Sequence, residues 1–171
     1  MATHTYTTPR ARHRLHARPA RSIAQALTIL FGLTFVVIGV AGFVPSLTDN
    51  AADITTRGPD SPAELFGIYQ VSVVHNVMHI ATGVIALLAA NGPRMARTFL
   101  VVAGLAYLAL FAAGMWIDLD SERNVLAVDH SGNWLHFGLG AAMFLLAMLP
   151  WPRRQHSEDH EIVVNADDDG A

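Results

Sequence analysis

Read for hydropathy alone, the chain alternates four long apolar runs with short polar connections. The runs are "SIAQALTILFGLTFVVIGVAGFVPSLT", "LFGIYQVSVVHNVMHIATGVIALLAANGP", "TFLVVAGLAYLALFAAGMWI" and "SGNWLHFGLGAAMFLLAMLPWP", and none of them holds Asp, Glu, Lys or Arg. Each supplies the roughly 20 residues that a helix needs to cross a bilayer. The apolar character is continuous rather than alternating, which argues against strands of a membrane barrel. The pattern therefore predicts an all-α fold, a polytopic membrane protein built as a four-transmembrane-helix bundle, with helices over about 24–45, 65–90, 96–117 and 132–151. The apolar core of the first run, Ala26 to Val44, exceeds the roughly 7–15 residues of a signal peptide's apolar region, so this run is expected to persist as the first helix.

Polar residues inside the second run are arranged, not scattered. On a helical wheel Ser72, His75, Asn76, His79, Thr82, Gly83 and Ala86 share one arc of about 120°, and bulky aliphatics cover the rest. Facing lipid, an imidazole or amide would lack hydrogen-bond partners, so this stripe is predicted to face inward. Helix 4 offers Asn133, His136, Gly140 and Ala147 on one face. Helix 3 offers Gly104, Tyr107, Phe111 and Gly114, and helix 1 offers Gln25, Thr28, Gly32, Phe35, Gly39 and Gly42. Glycines at such spacings let helix backbones approach closely. A second helix over about 65–90 puts His75 and His79 near the bilayer midplane, with His136 on the order of 6 Å nearer the outer surface. Helices 2 and 4 both carry histidine and small residues, but the match is too loose to establish an internal repeat.

Composition agrees with a membrane protein: 52% of residues are hydrophobic, 15% are charged, and the mean hydropathy is +0.35. The chain has no cysteine, which excludes disulfides, thiolate metal sites and cysteine nucleophiles. The net charge of -3 conceals a segregation. Arg10, Arg12, Arg14, Arg18, Arg21, Arg94, Arg97, Arg153 and Arg154 fall at one end of the helices, and only Arg57 and Arg123 at the other. Arginine placement predicts a cell-membrane protein with both the N-terminus and the C-terminus cytoplasmic. Trp116 and Trp134 then sit at the outer interface and Trp151 at the inner one. Three regions follow: a disordered basic cytoplasmic arm over 1–21, a membrane domain over 22–152, and a disordered acidic cytoplasmic tail over 153–171. The expected partner is the lipid bilayer. Scattered arginines make no nucleic-acid surface, and protein partners and small-molecule ligands are left open.

Candidate chemistry centres on "HNVMH", His75 to His79. The spacing is that of the H-E-x-x-H zinc proteases, whose glutamate activates the zinc-bound water. Asn76 stands in its place and cannot take that proton, so no catalytic residue is assigned and a non-enzymatic protein is favoured. No Asp, Glu or Arg lies within any span, which leaves little for a proton relay. The leading expectation is a structural or accessory membrane protein. Its buried polar cluster, Ser72, His75, Asn76, His79, Asn133 and His136, would hold helices 2 and 4 together by hydrogen bonds. The alternative is a metal-binding or haem-binding membrane protein using His75, His79 and His136 as ligands.

Three blocks in order carry a resemblance: "GFVPSLT" after helix 1, "LFGIYQVSVVHNVMHIATGVIAL" in helix 2, and "NVLAVDHSGNWLHFGLG" entering helix 4. Together they resemble the actinobacterial four-helix membrane proteins called domain of unknown function 4383, over roughly residues 22–150. The resemblance implies four helices and a bacterial inner-membrane location. It brings no activity and attaches no role to His75, Asn76, His79, Asp129, Asn133 or His136.

Overall fold

The structure, a computed structural model, describes residues 21–150. All but the last residue of the expected basic arm, and the whole of the expected acidic tail, lie outside the described residues. Among the described residues the fold is mostly helical, with four α-helices. They are α1 (Ile23–Ala41), α2 (Val73–Ala89), α3 (Pro93–Trp116) and α4 (His130–Met148). Among the described residues, α1 and α3 are long and apolar enough to cross a membrane, and α2, with 17 residues, is a shorter apolar helix.

Local chemistry sets where each helix begins. Ser22 caps α1: its hydroxyl accepts from the Gln25 amide at 3.3 Å, and the Gln25 side chain accepts from the Ser22 amide at 2.9 Å. This reciprocal pair satisfies amides that the first turn otherwise leaves free. Pro93 opens α3, where a missing N–H costs nothing. Asp129 caps α4 by accepting from the Gly132 amide at 2.7 Å.

Helix 2 departs from expectation. It starts at Val73, not near 65, because the apolar run before it is a hairpin. Strands β1 (Thr48–Asp49), β2 (Glu64–Leu65) and β3 (Tyr69–Gln70) form a small antiparallel sheet in that order. Phe66 and Gly67 turn between β2 and β3 at φ 56° and 64°, the left-handed pair that a tight hairpin of this kind requires. Ser72 then caps α2 by accepting from the His75 amide at 3.2 Å. The other boundaries move less: α1 ends at Ala41 rather than 45, and α4 spans 130–148 rather than 132–151.

The helices pack as two antiparallel hairpins, α1 on α2 and α3 on α4, which meet along α1 and α3. Helix α1 turns one stripe inward, Ala24, Thr28, Gly32, Phe35 and Gly39. The Thr28 hydroxyl donates to the Ala96 carbonyl at 3.2 Å, tying the first hairpin to the second. Phe35, Leu100, Ala103, Tyr107, Met143 and Ala147 form the shared core. A second cluster, Ala41, Ala63, Leu65 and Val71, lies beneath the small sheet. Large apolar side chains such as Leu30, Ile85, Leu88, Val102 and Leu145 point outward and are more than half exposed.

Candidate functional site

Because α2 starts at Val73, His75 lies in its first turn, with His79 one turn further on. His136 is the seventh residue of α4, as His79 is of α2. His75 therefore lies near the start of α2 and not at the middle of a helix over 65–90 as expected. One nitrogen from each of His75, His79 and His136 lies within 4.8 Å of the others. All three rings are buried. Phe35 and Tyr107 close the cluster from α1 and α3, each edge-on to a histidine: Phe35 to His79 at 5.7 Å and Tyr107 to His136 at 5.3 Å between centroids.

The ring nitrogens are organised. His75 Nδ1 lies 2.9 Å from the Leu126 carbonyl. A carbonyl only accepts, so Nδ1 carries the proton and Nε2 presents a lone pair. A histidine whose second nitrogen is held by a backbone carbonyl in this way is oriented as metal-ligating histidines usually are. His75 Nε2 faces His79 Nε2 at 3.2 Å. Two nitrogens bound tetrahedrally to one zinc ion are about 3.4 Å apart, from bond lengths of about 2.0–2.1 Å. His136 is set wider, and its ring has to swing in by on the order of 1 Å to complete a three-nitrogen shell. His79 Nδ1 and His136 Nδ1 are buried without a hydrogen-bond partner in the protein.

The remaining members of the expected cluster separate from the histidines. Asn76 packs against α1, where its side chain fills the space a Cβ at Gly42 would occupy. Asn133 does the same against α3 at Gly114, and its Nδ2 donates to the Phe111 carbonyl at 3.3 Å. The expected single cluster between α2 and α4 is thus a histidine triad at the centre, with one asparagine inside each hairpin. Ser72 is committed to the α2 cap and to the Leu126 carbonyl, 3.4 Å from its hydroxyl. On α2 and its cap, Ser72, His75, Asn76, His79, Gly83 and Ala86 are buried and Thr82 is half-buried.

Three contributors were not singled out as site residues by sequence. Phe35 and Tyr107 were visible only as members of inward stripes. Asn124, 3% exposed, shapes the loop that carries Leu126. Its Nδ2 donates to the Leu119 and Val128 carbonyls at 2.7 and 2.9 Å, and its Oδ1 accepts from the Val128 amide at 3.0 Å. Its one signal was an amide residue within an otherwise apolar stretch, "NVLAV".

Chemically, an all-nitrogen set of imidazoles suits zinc, copper, nickel or iron ions. A haem would need its two histidines on opposite faces of a macrocycle. The rings of His75, His79 and His136 instead pack at centroid distances of 4.7, 5.8 and 6.4 Å, leaving no slab between them for a porphyrin. The protease reading fails here too, since Asn76, at the glutamate's place in the motif, turns to Gly42 and away from the rings.

Residues 25–149, from the first turn of α1 to the residue after α4, match the family model described as Domain of unknown function (DUF4383). The chain belongs to that family. No curated protein and no solved structure matches it. The DUF4383 match takes in all four helices and the three histidines, so the triad lies within the family domain and not in an appended segment.

Proposed function

We propose that this chain is a multi-pass membrane protein, spanning the bilayer four times with both termini cytoplasmic, that holds one divalent transition-metal ion on His75, His79 and His136. The observation that carries the metal reading is the convergence of three buried imidazole nitrogens within 4.8 Å, with His75 locked in the ligating tautomer by Leu126. The membrane reading is supported by the belt of exposed aliphatics on α1 to α4. In water such a belt would be an aggregation surface, and in lipid it is solvated. Even α2, at 17 residues, is about 26 Å long and within the range of spanning helices. Arg21, Arg94 and Arg97 share the end of the bundle that arginine placement assigns to the cytoplasm. The role this arrangement supports is accessory or binding.

Elemental analysis tests the site. Protein extracted in mild detergent without chelator is expected to carry about one transition-metal ion per chain. Protein that is metal-free and also fails to take up zinc, cobalt, nickel or copper ions would overturn the proposal. That outcome would favour a second reading, in which the 3.2 Å His75–His79 contact is a hydrogen bond and the rings only join helices.

Topology is tested separately. A reporter fused after Arg154 is expected to read as cytoplasmic, and a periplasmic reading would reject the orientation.

A further inference from the structure

The two hairpins repeat each other, contact by contact. In α2 and its cap the facing residues run Ser72, Asn76, His79, Gly83; in α4 they run Asp129, Asn133, His136, Gly140, with identical spacing. Each series begins at an N-cap that accepts from the third helical amide. Each asparagine fills the place of a Cβ on a glycine of the preceding helix, Gly42 or Gly114. Each later glycine meets a glycine carbonyl of that helix: a Cβ on Gly83 would lie 2.6 Å from Gly32 O, and one on Gly140 2.9 Å from Gly104 O.

The far ends repeat as well. Gln25 Nε2 donates to the Ala90 carbonyl at 2.9 Å, and Arg97 Nε donates to the Ala147 carbonyl at 2.8 Å. Phe35 stands edge-on to His79 as Tyr107 does to His136, at 81° and 86°. Phe35 and Tyr107 then meet each other at 5.2 Å. These paired contacts define a pseudo-two-fold axis along the bundle, passing between His79 and His136.

The symmetry breaks at one ligand. His75 is the third residue of α2, and the third residue of α4 is Gly132. A side chain there would meet only the Asp129 carboxylate at 2.9 Å and Val128 at 3.7 Å. Asp129 and His130 line an open cleft of about 460 Å³ together with Asp118 and Asp120. By this pseudo-symmetry a metal on the axis would have His79 and His136 as a pair and His75 on one side, with no matching histidine on the other, where Gly132 and the Asp129 carboxylate stand.

We infer that the bundle is a duplicated hairpin whose metal centre has a fourth coordination position left without a histidine on the Gly132 side, fit for a small neutral nitrogen or oxygen donor. Three protein ligands with a free position is the arrangement of zinc sites that bind exchangeable ligands, whereas structural sites are closed by a fourth side chain. The Asp129 carboxylate beside Gly132 disfavours anions there and leaves neutral donors. This inference rests on the metal reading above.

The test uses the full chain loaded with cobalt(II), whose visible spectrum reports coordination, and imidazole, the side chain that Gly132 lacks. Imidazole is expected to shift the cobalt bands saturably while cobalt stays at one per chain. In Gly132→His the bands are expected to change before imidazole is added and then to be at least about 10-fold less responsive to it. Failure of the parent chain to bind cobalt would remove the metal reading itself. Cobalt bound at one per chain with bands indifferent to imidazole would overturn the open position alone, whether or not Gly132→His folds.

Discussion

A chain carrying His79→Ala is expected to bind zinc or cobalt more than about 100-fold more weakly than the parent, since loss of a mere supporting hydrogen bond already costs 10–100-fold. His79 is the best choice because it touches every part of the centre: His75 at 3.2 Å, and the rings of His136, Phe35 and Tyr107. His130→Ala is the control. His130 starts α4 and is exposed, outside the triad, so its removal should leave affinity within about 2-fold, as expected for a surface change well under 0.5 kcal/mol. Competition against a chelating dye measures both. Equal affinities for His79→Ala and parent, with both monodisperse in detergent, would mean that the ion sits elsewhere.

The second large effect concerns folding. Gly83→Leu is expected to abolish assembly of the first hairpin. The new Cβ would lie 2.6 Å from both Gly32 O and Val36 Cγ2 and 2.8 Å from Val36 N. Two of those three atoms are backbone, so no rotamer change relieves the clash, and α1 and α2 have to separate. Overpacking where side chains can adjust costs about 1–3 kcal/mol, and this site exceeds that because helix backbones must move. Gly138→Leu is the contrast, since a Cβ there meets nothing within 4 Å. Detergent gel filtration should show aggregated or absent Gly83→Leu and monodisperse Gly138→Leu. A monodisperse Gly83→Leu would contradict the close packing of α1 on α2.

Much of this was legible in the sequence, for one physical reason. In a chain whose outward faces are uniformly apolar, any helical stripe of small or polar residues marks the inward face. Gly32, Phe35 and Gly39 on α1 and Gly83 on α2 were readable on that basis. The start of α2 was not, because "LFGIYQVSVV" is uncharged and mostly apolar, and hydropathy does not register the left-handed turn at Phe66 and Gly67. That misplacement put His75 near the middle of its helix instead of in the first turn. The repeat was hidden for a different reason. Only the facing residues are shared, while outward-facing positions interchange among aliphatics. The connection 42–72 is also much longer than 117–129, so the helices of the two hairpins fall out of register along the chain. The division of the asparagines from the histidines depends on which neighbouring helix each meets, and a single helical wheel contains no neighbour.

The bond from His75 to the Leu126 carbonyl joins residues made at different times. His75 leaves the ribosome with the first hairpin, and Leu126 follows in the loop of the second. Until that loop arrives the imidazole is free to exchange tautomers, and the partner ring of His136 is absent as well. A half-inserted chain therefore has two of the histidines but neither the third nor the carbonyl that orients the first. On the proposed metal reading, capture of an ion at the centre would be a checkpoint of completed assembly.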